Sequence, residues 1–293
     1  MQVEIFLRGP SFALGKALER LGDLLPNSRI AVTGRECLEV LLCENDDEAF
    51  SRRLMAVSGL LDALEEECAV TFDLRMRRLF HSEPSGSEFQ SKDRFSPVPS
   101  ISIEPWSPST AKTETPHVII IDPCQAFGTG MHPTTRLCLE ALSIVQKEAS
   151  GFGKWSVLDF GCGTGLLSIA ALKMGAGTAT GIDIDHDSVE AAKRNVELNR
   201  LSEQITIREG SWDALDETYE LIVSNLAPSV MLRAGNKVIT HLKKPGTMIV
   251  SGIGAGHLEE MRGFFRNLGL SVDRSLVLES WAALIMRSAA NAE

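Results

Sequence analysis

A glycine-rich turn followed by a spaced carboxylate is the part of this sequence best suited to binding a ligand. The run Asp159–Gly165 reads D-F-G-C-G-T-G and links a short apolar strand to an apolar helix. Glycines such as Gly161 and Gly163 let the backbone turn tightly and approach a ligand closely, and the helix that follows presents unpaired N–H groups. Asp183 ends the next predicted strand, where a carboxylate can accept hydrogen bonds from both hydroxyls of a ribose. We therefore predict that Gly161, Gly163 and Asp183 bind a ligand that contains a ribose.

The spacing of the turn separates two classes of cofactor. Its pattern is D-x-G-x-G-x-G, and Leu166 stands where the dinucleotide pattern G-x-G-x-x-G has its third glycine. The turn and Asp183 resemble motif I and the acidic residue of the Rossmann-like methyltransferases, which bind S-adenosylmethionine. The resemblance implies S-adenosylmethionine as the cofactor. A nicotinamide-dependent oxidoreductase, a non-catalytic adenosyl-binding module and a purely structural turn are the alternatives.

A second stretch, upstream of the turn, extends the resemblance. Residues 122–135 read D-P-C-Q-A-F-G-T-G-M-H-P-T-T. They resemble the D-P-G-x-A-F-G-T-G-x-H-P-T-T signature of ribosomal protein L11 methyltransferases, which usually have glycine where Cys124 stands. The stretch is a loop entering a helix, since Pro133 suits the first helical turn. The resemblance implies that Thr135 contacts the cofactor and that the loop covers the methyl-donor pocket. His132 is a candidate base, a cofactor contact or a structural hydrogen-bonding residue.

A third candidate residue, Asn225, follows the predicted strand at 221–224. Open α/β sheets place their sites at the carboxyl ends of such strands. The family has N-I-L-A where this chain has Asn225-Leu226-Ala227, and the resemblance implies that Asn225 lies at the cofactor and amine pocket and is catalytic. In amino-methyltransferases, which the chain resembles, an amide oxygen or backbone carbonyl at this point accepts a hydrogen bond from the substrate nitrogen. The alternative is an asparagine that satisfies a turn. Trp212, between these segments, either stacks on an adenine or belongs to the core.

The order of the predicted elements indicates two folds in one chain. In the N-terminal part it is β-α-β-β-α-β, a ferredoxin-like α+β arrangement, with strands at 2–7, 29–32, 37–43 and 70–74 and helices at 12–25 and 46–64. From residue 118 strands and helices alternate, which predicts a doubly wound, mostly parallel α/β sheet. The resemblance implies the seven-stranded Rossmann-like methyltransferase sheet, closed by an antiparallel strand at 282–287.

Three segments follow from this order and from composition. Residues 1–80 form the predicted N-terminal domain, which recognises the protein substrate in the family. Residues 81–116 are rich in Ser and Pro and are predicted to be a linker, with a short strand pair at 95–97 and 101–106. Residues 117–293 form the predicted methyltransferase domain.

Composition limits the partners. A net charge of -10 argues against a general nucleic-acid binder. It suits a basic protein substrate, and solubility alone is the alternative explanation. The chain has neither an apolar run of about 18 residues nor a signal peptide pattern. Its six cysteines show no C-x-x-C pair, and no metal-ligand spacing is evident, so we expect reduced thiols and no metal. We expect a cytoplasmic monomer that contacts neither a membrane nor nucleic acid directly.

The resemblance implies the activity. It is methyl transfer from S-adenosylmethionine to lysine side chains or the N-terminal amine of ribosomal protein L11. Another protein lysine or a small molecule is the alternative acceptor within the same class of reaction.

Overall fold

The computed structural model describes residues 2–26, 28–32, 37–43, 47–70, 73–79, 94–107, 117–122 and 130–289. Parts of the predicted features lie outside these residues: positions 71–72 of the fourth predicted strand, the loop at 123–129 with Cys124, and the linker at 81–93 and 108–116. The chain divides into two compact units, Met1–Ser85 and Gly86–Glu293. Each unit is described by itself.

The first unit has the predicted ferredoxin-like arrangement. Its elements are β1 (Gln2–Arg8), α1 (Ser11–Leu24), β2 (Arg29–Val32), β3 (Cys37–Cys43), α2 (Asp47–Cys68) and β4 (Asp73–Leu79). The strands form an antiparallel sheet in the order β2-β3-β1-β4. The fourth strand begins later than predicted, because Ala69 adopts a left-handed φ of 52° and the Val70 N–H donates to the Glu65 carbonyl. Residues 69 and 70 therefore end the helix and do not start the strand.

The core of the first unit lies between the helices and the sheet. Helix α1 contacts α2, β2 and β3. It buries one face at helical spacing: Ala13, Leu14, Ala17 and Leu21. Apolar residues of α2 are buried in the same unit: Val57, Leu61 and Leu64.

The second unit alternates strands and helices, as predicted. Its elements are β5 (Phe95–Val98), β6 (Ile101–Pro105), β7 (Val118–Ile121), α3 (Pro133–Glu148), β8 (Ser156–Phe160), α4 (Leu166–Lys173), β9 (Thr178–Asp183), α5 (His186–Leu198), β10 (Ile205–Glu209), β11 (Tyr219–Asn225), α6 (Pro228–Val238), β12 (Leu242–Gly254), α7 (Leu258–Asn267), β13 (Leu270–Leu278) and β14 (Trp281–Ser288).

Seven of these strands form one sheet, in the order β10-β9-β8-β11-β12-β14-β13. Neighbouring strands from β10 to β12 are parallel, and β14 is antiparallel to both its neighbours. From β8 the chain adds β9 and β10 on one side and then β11 on the other, so the strand order reverses between β8 and β11. Ligands bind at such a switch point, at the carboxyl ends of the strands. The predicted doubly wound methyltransferase sheet is confirmed.

Helices cover both faces of this sheet, because successive apolar side chains along a strand point to opposite faces. In β8, Val157 packs with α3, α4 and α5, and Leu158 and Phe160 pack with α6 and α7. A strand buried on both faces is typical of a parallel sheet between two helix layers. No helix in the described part of the chain is long and apolar enough to cross a bilayer.

A small second sheet, β5-β6-β7, lies in the same unit. The predicted strand pair is antiparallel, and β6 also pairs in parallel with β7. Val98, Ile101 and Ile103 are buried in the apolar cluster that includes α3 and α4. Residues 94–107, expected within the linker, are thus part of the folded second unit.

Candidate active site

The glycine turn at the carboxyl end of β8 is fixed by the neighbouring strand. Gly161, Gly163 and Gly165 have φ values of 77°, 52° and 75°, a region that side chains other than glycine adopt only with strain. The N–H groups of Gly161 and Cys162 both donate to the carbonyl of Ile182, at 2.9 and 3.0 Å. The turn is therefore anchored to the end of β9.

Asp183 lies directly against this turn, as predicted. Its Oδ2 accepts from the Gly163 N–H at 2.9 Å, and its Oδ1 accepts from the Asp185 N–H at 3.0 Å. Burial raises the pKa of the Asp183 carboxyl. A carboxylate has about four acceptor positions on its two oxygens, so each oxygen keeps capacity after these bonds. That capacity fits the vicinal hydroxyls of a ribose.

The backbone N–H groups of the turn itself are largely paired inside the protein, and in the first turn of α4 the N–H of Ser168 is paired as well. Five N–H groups around the turn donate to protein acceptors: those of Gly161, Cys162, Gly163, Gly165 and Ser168. A pyrophosphate bound at a helix N-terminus needs such groups as donors. The turn therefore suits a nucleoside without a pyrophosphate better than it suits a nicotinamide dinucleotide.

Asp159, the carboxylate within the apolar strand β8, carries a role that the sequence did not indicate. It is fully buried, and its Oδ2 accepts from the N–H and the Oγ of Ser168 at 2.9 and 2.8 Å. Its Oδ1 has no hydrogen-bond partner among the described residues. Burial raises the pKa of Asp159 to about 7. Asp159 thus fixes the first turn of α4 against the glycine turn.

Asn225 and Thr135 meet at the switch point, although they are 90 residues apart. The Asn225 Nδ2 donates to the Thr135 Oγ1 at 3.2 Å. Thr135 lies in the first turn of α3 and is almost fully buried. The bond orients the amide of Asn225, so its amide oxygen is the atom suited to accept from a substrate.

His132 makes contacts of a structural kind. It is the N-cap residue of α3, and its Nδ1 accepts from the Thr134 N–H at 3.3 Å. Its ring meets the edge of Trp281, with centroids 5.2 Å apart. His132 thus fixes the helix that carries Thr135, which is the structural alternative of the three considered for it.

The sequence matches a known protein family. A family model described as Ribosomal protein L11 methyltransferase (PrmA) matches residues 59–289. The chain belongs to the ribosomal protein L11 methyltransferase family. It is 35% identical to the family member from Bacillus pumilus over 196 residues, which are 67% of this chain and 60% of that protein. It is 38% identical to the one from Neisseria meningitidis serogroup C over 164 residues, 56% of this chain and 52% of that protein. The chain spans little more than half the length of these curated relatives.

A solved structure of the family has a similar fold. The crystal structure of ribosomal protein L11 methylase from Lactobacillus delbrueckii subsp. bulgaricus aligns with a TM-score of 0.57 and 27% identity. The alignment covers 67% of this chain and 98% of that chain. It agrees with the doubly wound sheet described above.

In this family member, Leu226 is held between two glycines. A Cβ on Gly161 would lie 2.6 Å from the Leu226 Cδ2, and a Cβ on Gly252 would lie 2.3 Å from the Leu226 carbonyl oxygen. The sequence assigned the open side of Gly161 to a ligand, but the Leu226 side chain fills that position. Gly252 interrupts the register of β12 and β14, and a glycine within a strand is a signal for such a close approach. The two glycines fix the chain just after Asn225.

Two further residues of this family member were missed by the sequence analysis: Asn195, a buried polar residue on α5, and Asn199, the buried C-cap residue of the same helix. Their signal is two amides four residues apart on the face of an amphipathic helix that packs inward. Trp212, by contrast, packs against the apolar cluster that includes α6 and α7. This contact favours the core interpretation of Trp212 over stacking on a base.

Proposed function

We propose that this protein transfers methyl groups from S-adenosylmethionine to amino groups of ribosomal protein L11. The observation that carries the proposal is the Asn225–Thr135 pair at the switch point, on the same sheet edge as the glycine turn and Asp183. The relatives named above carry this activity in their names. Because the chain spans little more than half of the curated relatives, their activity and substrate enter as part of the proposal.

The site fits S-adenosylmethionine as the donor. The cofactor supplies a methyl group on a sulfonium, already activated for transfer. In the proposal, the remaining acceptor capacity of Asp183 binds the ribose hydroxyls, and the turn at Gly161 and Gly163 encloses the nucleoside. The internally bonded N–H groups of the turn suit this donor, which has no pyrophosphate.

The acceptor amine has to be neutral and aligned. In the proposal, the Asn225 amide oxygen accepts a hydrogen bond from the substrate nitrogen and directs its lone pair toward the methyl group. Thr135 holds the other end of that amide, so the direction is set before the substrate binds. Burial of the amine lowers its pKa and favours the neutral form.

Calorimetry and methyl transfer test the proposal separately. The chain should bind S-adenosylmethionine and not NAD, and it should incorporate labelled methyl groups into purified ribosomal protein L11. Labelling of another lysate protein, with L11 unlabelled, would assign a different acceptor. Binding of NAD alone would remove the methyltransferase proposal.

Replacing Asn225 tests its place in the chemistry. Asn225→Ala should reduce turnover more than it reduces donor affinity, because its amide acts on the acceptor. Thr135→Val should also reduce turnover, but by less than Asn225→Ala. This variant keeps the Asn225 amide and removes only the hydroxyl that orients it. A loss of donor affinity with turnover unchanged at saturating donor would move Asn225 to the cofactor contacts.

The protein partners also belong to the proposal. A net charge of -10 supports a basic protein as substrate and disfavours direct contact with nucleic acid. Four cysteines are free, Cys37, Cys68, Cys138 and Cys162, which supports a reducing compartment such as the cytoplasm. We expect a monomer, which light scattering of the purified chain checks. Association with L11 should weaken as salt rises, because exposed charges are screened.

A further inference from the structure

Two asparagines, one in α5 and one at its C-cap, are buried away from solvent. Asn195 is fully buried and Asn199 is 7% exposed. Buried side-chain amides are stable only when their donors and acceptors are paired. The identity of their partners therefore indicates what each asparagine is for.

The Asn199 side chain pairs with the backbone of β7 as a neighbouring strand would. Its Oδ1 accepts from the Ile120 N–H at 3.0 Å, and its Nδ2 donates to the Ile120 carbonyl at 2.7 Å. Both backbone groups of one residue are thus satisfied by one side chain. The Nδ2 also donates to the Asn195 carbonyl at 2.8 Å, in the last turn of α5. These bonds attach β7 to the C-terminal end of α5, and none of them reaches a residue of the glycine turn.

Asn195 makes a different connection. Its Oδ1 accepts from the Asp122 N–H at 2.8 Å, where β7 has just ended. Its Nδ2 donates to the Thr164 carbonyl at 2.9 Å, inside the glycine turn. One amide therefore joins the end of β7 to the turn between Gly163 and Gly165.

The end of β7 is held by a second contact from the same helix. Arg194 forms an ion pair with the Asp122 carboxylate at 2.7 Å, and its guanidinium lies 5.7 Å from the centre of the Trp106 ring. Asp122 is thus fixed through its backbone by Asn195 and through its side chain by Arg194. This makes Asp122 a firm support for the amide that holds the turn.

We propose that Asn195 is a positioning residue for donor binding, which sets the glycine turn against Asp183 by holding the Thr164 carbonyl. The next residue back, Gly163, donates its N–H to Asp183, so a shift of Thr164 changes the geometry of the carboxylate that meets the ribose. The inference rests on the proposed function, in which this turn binds S-adenosylmethionine. Asn195 itself touches neither donor nor acceptor.

Asn199 provides a control, because it is also buried and its amide also bonds only backbone groups: the N–H and carbonyl of Ile120 and the carbonyl of Asn195. In calorimetry on the whole chain, Asn195→Ala should weaken S-adenosylmethionine binding about tenfold. Asn199→Ala should lower the unfolding temperature about as much as Asn195→Ala does. It should change the affinity for S-adenosylmethionine less than about twofold. Turnover at saturating donor should be largely kept in both variants, so the effect of Asn195→Ala appears in KM and not in kcat.

A second variant and a second measurement keep the inference testable if Asn195→Ala folds poorly. Asn195→Asp, measured at a pH at which the new carboxyl is ionised, keeps the acceptor for Asp122 and loses the donor to Thr164, so it should also weaken donor binding. Amide hydrogen exchange should speed up across the glycine turn in the Asn195 variants and only near Ile120 in Asn199→Ala. Equal loss of affinity in the Asn195 and Asn199 variants, or unchanged affinity in Asn195→Asp, would overturn the inference.

The same experiment separates this inference from the proposed function. If the wild-type chain does not bind S-adenosylmethionine, the proposed function and the role of Asn195 in donor binding both fail. If the wild type binds and Asn195→Ala binds equally well, only the role of Asn195 fails.

Discussion

At the scale of single residues, Asp183 serves both the turn and the predicted ligand. Its oxygens accept from Gly163 and Asp185, so removal of the whole carboxyl would also release the turn. Asp183→Asn keeps an acceptor oxygen and removes the charge. It should weaken S-adenosylmethionine binding by about 2 kcal/mol, the size of a charge-assisted hydrogen bond. Calorimetry measures the change.

The control for Asp183 is Asp187→Asn, which removes the same charge from an exposed position in the first turn of α5. It should leave the affinity close to that of the wild type. Equal affinities of the wild type and Asp183→Asn would contradict the assignment of Asp183 to the ribose.

Asp159 should make stability depend on pH. Burial raises its pKa from 3.8 to about 7, so between these values the folded protein keeps a proton that the unfolded chain releases. Stability therefore falls as pH rises through this window and levels off above it. From about pH 5 to about pH 8, the wild type should lose roughly 3 kcal/mol relative to Asp159→Asn, which cannot ionise.

Urea unfolding of both proteins at several pH values measures this difference. The comparison with Asp159→Asn removes contributions from groups that the two proteins share. Stability curves that run parallel across the window would show that Asp159 does not titrate as described.

At the scale of elements, the position of Asn225 depends on a close contact between two segments. Gly252 in β12 lies against Leu226, the residue that follows Asn225. Gly252 has a φ of 84°, and a Cβ there would lie 2.3 Å from the Leu226 carbonyl oxygen. Gly252→Ala has to displace this backbone, since a carbonyl oxygen cannot rotate away as a side chain can. The variant should lose about 1–3 kcal/mol of stability, and turnover should fall because Asn225 moves with Leu226.

The matched control is Gly256→Ala, because a Cβ at Gly256 meets nothing within 4 Å. It should leave turnover and stability near those of the wild type. Normal turnover in folded Gly252→Ala would mean that the position of Leu226 does not affect the site.

At the scale of the whole molecule, the candidate site belongs to one unit. Thr135, Gly161, Gly163, Asp183 and Asn225 all lie in Gly86–Glu293. We predict that a fragment of residues 86–293 folds and binds S-adenosylmethionine, and that it loses methylation of L11. The proposed reason is that the N-terminal domain recognises the protein substrate.

Circular dichroism, calorimetry and methyl incorporation into L11 check the three parts of this prediction. The whole chain is the control. Full methylation of L11 by the fragment would contradict a recognition role for the N-terminal domain. Loss of donor binding would instead mean that this domain supports the fold of the second unit, a reading compatible with the family match starting at residue 59.

The sequence by itself determined the elements and the local part of the site. Alternation and helical periodicity act within about ten residues, so most strands and helices were predicted close to their observed bounds. The glycine turn and Asp183 lie on adjacent strands of one β-α-β unit, so their contact follows from that short motif.

Only the tertiary structure decided which distant residues meet. The Asn225–Thr135 bond, the link from Asn195 to Asp122 and Thr164, and the burial of Asp159 depend on strand order and on how the layers pack. These contacts join residues up to 90 positions apart. A local pattern carries no information on such distances, because the reversal of strand order between β8 and β11 brings the two halves of the site together.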